Sequence, residues 1–526
     1  MLLTPIVLFV ILMILLYVPP VQNFIRKQAT AIASDATGMN ISVERIDLRF
    51  PLNLLVRGVQ VVQSEADAAD VQHPDTLLNL GSLNVSVQAW PLLQGRVEVN
   101  AITLQQVAVN SSNLLEGMHI KGTLGRFFLE SHGIDLKKED AILNNVELSN
   151  THMQVMLADT TETPKDSTET AVNWRIALHN LKLKNVSVDL QMPLDSMALG
   201  ANIGDASIED ANVDLKRQFY GWRRFTLTES AVNYDSGMAA PVEGFDASHI
   251  ALRDIRIGID SVMACGRDMN AIIREFSMYD RSGLTVTSLT GRLFADSTLI
   301  RIPYLQLKTP HSDMDLTAQT YWKLVDIPTT GHLSARFNAN IGKQDVLLFA
   351  GGLPETFKEA YPFRPLVIHA GTEGNLKQMQ ISRFTAELPG AFFLSGGGEL
   401  WNLTDSLTRN GGLDFEMQTQ DLNFLTGLTG VTPDGSIIVP DSMNLVARLG
   451  LDGPQCNAIL KIKEGEGSLG LDAAYNLNTE VYHADLAIDA LQLHHFLPKD
   501  SIYTLTARVT AKGQGVDGGS HKTIAR

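Results

Sequence analysis

The chain has 526 residues, of which 44% are hydrophobic and 19% are charged, and it contains 41 glycines and 20 prolines. This composition is typical of a folded protein with many turns, and it excludes wholesale disorder. The net charge of -16 disfavours nucleic-acid phosphates as partners, and the two cysteines are too few for a disulfide framework or a thiolate zinc site.

The first predicted element is an apolar helix. The segment from Leu2 to Val18 has no charged residue, and at about 1.5 Å per residue it spans most of a hydrocarbon core. It is longer than the apolar part of a secretory signal and no cleavage site follows, so an uncleaved transmembrane anchor over residues 1–20 is favoured over a cleaved signal peptide. The predicted membrane-anchoring side chains are Leu8, Phe9, Ile11, Leu12, Ile14 and Leu15.

The anchor is predicted to continue as a short amphipathic helix over residues 21–38. Val21, Phe24 and Ile32 lie near one face at helical spacing, and Gly38 supplies a stop. Arg26 and Lys27 follow the apolar run while no basic residue precedes it, which taken alone would place the body in the cytoplasm. Charge bias therefore leaves the topology open.

After Gly38 the apolar period changes from 3.6 to 2, which is the period of strands with one apolar face. Asparagine and glycine residues between such runs, among them Asn144, Asn145 and Asn185, predict turns of antiparallel meanders. The alternating apolar side chains are Leu83, Val85, Val87, Leu333, Phe337, Ile341, Leu413, Phe415 and Met417. The predicted fold class is all-β, with a repetitive antiparallel body and a few short helices.

Short helices are expected over Leu124 to Ser131, after Gln344, after Gln420 and after Ala490, where each would cap or bridge a sheet. Residues 158–171, rich in threonine and acidic residues and without a large apolar side chain, predict an exposed polar loop.

This loop divides an N-terminal β unit over residues 39–157 from repeated modules over residues 172–526. Three segments in the C-terminal half share the order of alternating strand, polar turn and short apolar helix, and a second strand with a glycine turn recurs in step. The repeats are placed near residues 332–412, 413–483 and 484–526, and the last is expected to be truncated because no capping repeat follows it.

Sequence motifs for chemistry are weak. Two isolated G-x-G-x-x-G matches, beginning at Gly465 and Gly513, lack the strand-to-helix context of a dinucleotide site, so hairpin glycines are favoured. His494 and His495 stand where the sister repeats carry other residues, which favours packing over metal binding. We therefore expect no catalytic, metal or cofactor site, and the protein is not predicted to be an enzyme.

The order of anchor helix, then ISVERIDLRFPLNLLVRGVQVV from Ile41, then LLNLGSLNVSVQAW from Leu77, resembles the N-terminus of the AsmA-like superfamily, specifically the TamB translocation and assembly module proteins. The most specific block is Trp90-Pro91-Leu92-Leu93 followed by Gly95. The resemblance implies an inner-membrane signal anchor and an elongated, periplasmic repeating β-groove in a Gram-negative bacterium, with the alternating apolar side chains as groove lining. It also implies a far C-terminal region, absent from this sequence, that meets an outer-membrane barrel protein of the TamA/BamA kind.

The first functional expectation is a lipid-conducting bridge, in which phospholipid acyl chains follow the apolar groove toward the outer membrane while headgroups stay in water. The alternative is a translocation and assembly module subunit for outer-membrane protein insertion or protein secretion, which offers sheet edges to unfolded strands. A passive envelope spacer is a third possibility. No sequence motif chooses among them.

Overall fold

The structure is a computed structural model that describes residues 23–24, 26–28, 30–31, 34, 39–49, 53–62, 76–88, 99–111, 117–135, 138–157, 173–429, 435–515 and 522–525. The predicted anchor, the predicted polar loop and the block from Trp90 to Gly95 lie outside these residues. The described positions between residues 23 and 34 are helical. Within the described part of the chain, no helix combines the length and the apolar character that crossing a membrane requires.

The chain divides into two compact units, and each is a β-sheet. The first comprises residues 1–241, 246–266 and 270–281, and the second comprises residues 242–245, 267–269 and 282–526. The strands of the first unit are β1 Asn40–Arg49, β2 Asn53–Val62, β3 Thr76–Val87, β4 Val99–Asn110, β5 Met118–Asp135, β6 Asp140–Leu157, β7 Arg175–Met192, β8 Met197–Asp214, β9 Phe219–Ser236, β10 His249–Cys265 and most of β11 Asp268–Asp280.

From β1 to β10 each strand of the first unit pairs with the next one along the chain. All of these pairs are antiparallel except β6 with β7, which is parallel. The expectation of purely antiparallel meanders is wrong at this point. Parallel pairing places asparagines side by side, and Asn185 Nδ2 donates to Asn150 Oδ1 at 2.9 Å. The strands that precede and follow the predicted polar loop are therefore paired directly with each other.

The second unit is antiparallel throughout its paired strands β13 to β26, each bonded to the next. Its strands are β12 Thr285–Val286, β13 Ser288–Ala295, β14 Leu299–Lys308, β15 Asp313–Tyr321, β16 Leu333–Ile341, β17 Leu366–Asn375, β18 Gln378–Leu388, β19 Phe392–Trp401, β20 Asn410–Thr419, β21 Asn444–Asp452, β22 Gln455–Glu464, β23 Gly467–Asn476, β24 Val481–Leu491, β25 Leu505–Gln514 and β26 Lys522–Ala525. Its helices are α1 Trp322–Asp326, α2 Lys343–Phe349 and α3 Glu355–Ala360, with 3₁₀ helices η1 Asn423–Thr429 and η2 Leu493–His495.

The all-β class with few short helices is confirmed, and α2, η1 and η2 occupy three of the four predicted helix positions. The fourth prediction, a helix over Leu124 to Ser131, is wrong because these residues lie inside β5. The turn predicted at Asn144 and Asn145 is also wrong, since both residues lie inside β6.

A compact core forms in the second unit where short helices meet strand ends. Its buried residues are Phe357, Tyr361, Leu388, Ala391, Leu422 and Phe424. The rings of Phe357, Tyr361 and Phe424 lie 5.5 to 5.9 Å from one another, within the range of favourable aromatic contacts. This core fixes α3 and η1 against one margin of the sheet.

Candidate functional site: an apolar sheet face

The second unit presents one apolar face. Directly paired residues of an antiparallel sheet point to the same side, so the strand registers trace rows of side chains across the sheet. One row, here the central row, runs without a polar side chain from β13 to β25. Its members are Gly291, Leu305, Leu316, Phe337, Ala370, Phe384, Gly396, Phe415, Ala447, Leu460, Leu471, Leu486 and Val509.

The side chains of the central row are partly open to solvent. None of its residues other than Gly291 is fully buried, and Val509 is 40% exposed. Leu449, which belongs to the same face, is 47% exposed. No second layer therefore covers the row among the residues that the structure describes.

The neighbouring row toward the short helices is covered. It runs through Ala339, Ile368, Ala386 and Leu394 to Met417. Ala339 is 3% exposed and Ala386 is 8% exposed, and Met417 packs against the aromatic core beneath α3 and η1. On the apolar face, the row next to the short helices is thus covered, whereas the central row is open to solvent.

Six of the side chains that the sequence singled out share this face. Phe337 and Phe415 belong to the central row, and Leu333 and Leu413 lie farther from the helices on the same strands. Met417 lies in the covered row. Ile341 pairs with Leu366, which packs against the aromatic core. Four of the six predicted groove residues therefore lie on the open part of the face.

The open face is concave between β19 and β24. A hollow of about 540 Å³ is bordered by residues from all six strands, including Leu400 on β19 and Ala484 on β24. On a flat sheet these two residues would be separated by five strand spacings, roughly 24 Å. Because Leu400 and Ala484 border the same hollow, the sheet must curl between β19 and β24. The other apolar side chains around it are Leu413, Leu449, Leu451, Cys456, Ala458, Ala473, Tyr475 and Tyr482.

Glycine in the central row makes room for aromatic rings. A Cβ on Gly396 would stand 2.3 Å from Phe415 Cδ1, so the Phe415 ring lies directly over this glycine. Phe384, on the other side of Gly396, contacts Phe415 edge to face with ring centroids 6.3 Å apart. The glycine therefore permits a contact between two strands that are not adjacent.

The opposite face of the second unit is mostly polar. One row there runs through Asp315, Asn338, His369, Thr385 and Ser395. Val446 and Ile459 are exposed exceptions. The two faces of the sheet therefore differ in polarity.

The first unit repeats this arrangement with different residues. One apolar row from β1 to β10 consists of Ile46, Val56, Leu83, Leu104, Phe127, Leu148, Leu183, Ala206, Leu227 and Ile257. A second row contains Val85, which pairs with Leu54 and Ile102. Val87 pairs with Val99 near the strand end. All three candidate residues of β3 are half-buried.

A line of backbone bends crosses the first unit, and we call it the bulge row. Six left-handed residues with φ between 51° and 60° belong to it, namely Gly58, Gln106, Asn150, Asn185, Glu229 and Asp254. Glycines stand opposite three of them. A Cβ on Gly125 would lie 2.8 Å from the Asn150 carbonyl oxygen, and a Cβ on Gly204 would lie 2.4 Å from that of Glu229. At these three positions the bend has room because the facing residue is glycine. The register is the same on both sides of the bend, as at Leu124 with Thr151 and Arg126 with Ser149, so one residue of each strand is left unpaired.

The bulge row is the feature that the sequence interpretation missed. In β2, β4, β7 and β10 the apolar alternation takes one step of three residues, as between Leu183 and Val186, and then resumes on the same face. In β6 and β9 a polar residue, Thr151 or Ser230, follows the step of three. The repeated pattern apolar-x-apolar-x-x-apolar-x-apolar is the signal that identifies it.

The part of the chain that the structure describes contains no group of three or more His, Cys, Asp or Glu side chains placed to hold a metal ion. Cys265 and Cys456 are free thiols. His495 Nδ1 lies 2.6 Å from Glu464 Oε1, which ties η2 to the end of β22.

Comparison with known proteins found no protein family whose description matches the sequence and no curated protein with significant similarity to it.

Proposed function

We propose that the protein is an inner-membrane-anchored, TamB-like bridge of the cell envelope, whose body lies in the periplasm and carries phospholipid along an apolar β-groove toward the outer membrane. The observation that supports this most is the uninterrupted apolar row from β13 to β25, which no second layer covers within the part of the chain that the structure describes. Contiguous exposed apolar patches above roughly a few hundred Å² are rare on soluble monomers and mark binding surfaces.

The chemistry of the face favours acyl chains over polypeptide. A peptide segment laid on the central row would bury its N–H and C=O groups where no side chain donates or accepts a hydrogen bond, and each unpaired group costs free energy. An acyl chain has no such groups. The headgroup of a phospholipid would remain at the open margin, away from the helices.

Photo-crosslinking tests the proposal. A crosslinker at Phe337 or Phe415 should capture phospholipid, identified by mass spectrometry, whereas one at Ser334 or Asn338 on the opposite face of β16 should not. Leu83 and Val85 extend the test to the first unit. Equal labelling of both faces of β16 would remove the support for a lipid path.

The same crosslinkers address assembly of outer-membrane proteins, the alternative function. An assembly factor would capture unfolded polypeptide, chiefly at strand edges. Localisation is tested separately, because a protease added to spheroplasts should digest a periplasmic body and spare a cytoplasmic one.

A further inference from the structure

The polar face of the second unit contains a basic hollow between β16 and β18. Arg336 pairs with Gly371 on β17, and Gly371 pairs with Arg383 on β18, so the two arginines flank a residue without a side chain. Both arginines are exposed. Neither has a carboxylate partner among the described residues, in contrast to Arg448 on the same face, whose Nε lies 2.5 Å from Asp414 Oδ1.

The floor of the hollow is shaped by glycine and a bulge. The register between β17 and β18 shifts after Gly371, which leaves Ser382 unpaired in the strand ladder. A Cβ on Gly371 would stand 3.0 Å from Ser382 Oγ, so any larger residue would fill the space that the hydroxyl faces. The hollow measures about 400 Å³. Bulges often redirect side chains toward a site in this way.

The remaining walls leave the positive charge uncompensated. His369 Nδ1 lies 2.8 Å from Asn338 Oδ1, and Asn338 Nδ2 donates to Asp315 Oδ2 at 2.8 Å. Among the described residues Asp315 forms no ion pair with either arginine, and the residues that line the hollow include no carboxylate. In a chain with a net charge of -16, two uncompensated guanidinium groups around one hollow form a local exception.

We propose that this hollow binds a phosphate group. Guanidinium groups present planar forks of N–H donors that match phosphate oxygens, and such charge-assisted hydrogen bonds are among the strongest in proteins. Arg336 and Arg383 are two strand spacings apart, roughly 10 Å, so they approach a tetrahedral anion from opposite sides. The Ser382 hydroxyl supplies a further donor from the floor.

The phosphate belongs to a free phosphoester or to a lipid headgroup, and both sources share this chemistry. The hollow lies on the face opposite to the central row, so the site does not depend on the proposed lipid path. Phe337→Glu should leave phosphate binding unchanged, and failure of one proposal leaves the other standing.

Calorimetric titration of the full chain with inorganic phosphate tests the site. Arg336→Ala and Arg383→Ala should each weaken binding about tenfold or more, and Arg448→Ala, which removes a paired arginine from the same face, should not. Gly371→Val should block the site while keeping both charges. Absence of phosphate binding at millimolar concentration, or equal weakening by Arg448→Ala, would overturn the proposal.

Two further probes identify the source of the phosphate. Binding of glycerol 3-phosphate that Arg383→Ala abolishes supports a free phosphoester. Flotation of the chain with phosphatidate-containing vesicles, lost in the same variant, supports a headgroup. Circular dichroism of each arginine variant should match that of the unmodified chain, because Arg336, Arg383 and Arg448 are exposed.

Discussion

Variants at two positions on β16 can distinguish an open apolar face from an ordinary closed core. Phe337 and Ala339 are two residues apart on one strand and point to the same side. Phe337 is half-buried in the central row, whereas Ala339 is 3% exposed beneath the short helices. Glutamate placed at each position introduces the same charge into two different environments.

The expected free-energy changes follow from this difference in exposure. Phe337→Glu gives up part of the burial of a phenyl ring, about 1–2 kcal/mol, while the new carboxylate keeps water on its open side. Ala339→Glu places a charge where it has neither water nor a partner, which costs roughly 3–5 kcal/mol or more. We therefore expect the variant at position 339 to be the less stable of the two by about 1–4 kcal/mol.

Thermal unfolding followed by circular dichroism and hydrogen exchange of the β16 amides measures the difference. Phe337→Glu should lower the melting temperature of the unit by about 2–8 °C, because 1 kcal/mol corresponds to about 2–4 °C in a unit of this size. Ala339→Glu should abolish cooperative unfolding. Phe337→Glu should also reduce co-purified phospholipid. If Phe337→Glu destabilises the unit as much as Ala339→Glu does, the central row is closed core and the reasoning is refuted.

Three other predictions follow from single positions. Gly125→Ala should destabilise the first unit by about 1–3 kcal/mol in urea unfolding, because the new Cβ would clash with the Asn150 carbonyl oxygen. The control is Gly133→Ala on the same strand, which has open space around it and should be neutral or slightly stabilising. Burial lowers the pKa of Lys343 below its ordinary 10.5, so near that pH the unfolded chain binds more protons than the folded chain. The free energy of unfolding of the unmodified chain, compared with that of Lys343→Met, should therefore rise as the pH approaches 10.5. A difference between the two proteins that does not change with pH would contradict this. Added phospholipid should slow alkylation of Cys456, which borders the apolar hollow, and should leave the rate at Cys265 unchanged.

Strands β16 and β20 of the second unit could be predicted because their alternation is unbroken. Leu333 to Ile341 and Leu413 to Met417 follow the period of 2 without interruption, and each forms a strand with its apolar residues on one face. Short helices after polar turns were likewise predictable. Which part of the face is open was not predictable, since the covering residues Phe357 and Phe424 lie far apart in the sequence.

The first unit misled the interpretation for one physical reason. The bends in its strands replace one step of two residues with a step of three, which is also the spacing of apolar residues on a helix face. Leu124 and Phe127 show this spacing inside β5, so a helix was predicted where a strand forms. Asparagine tolerates the left-handed conformation in turns and bulges alike, so Asn185 predicted a turn within β7.

The phosphate site left no signal in the sequence. Arg336, Gly371 and Arg383 lie on three strands, and only the register brings them into one row. In the sequence, a single arginine within a strand is typical of a solvent-exposed surface charge. The parallel pairing of β6 and β7 was hidden in the same way, since the polar residues between them carry no information on strand direction.

Exposure of the open apolar face to water costs free energy, and either proposed occupant, phospholipid or unfolded polypeptide, would have to reduce this cost by covering the face. Each strand added to a sheet extends the apolar row by one residue, while in the second unit the short helices cover only the margin at Ala339 and Ala386. The exposed apolar area therefore grows with the number of strands, and its hydration cost grows at roughly 25 cal/mol per Å². Curling between β19 and β24 hides part of this area but leaves a hollow. An apolar ligand that fills the hollow removes the remaining cost without requiring any hydrogen bond, so the stability of the second unit should depend on lipid supply in a way that a closed sandwich would not.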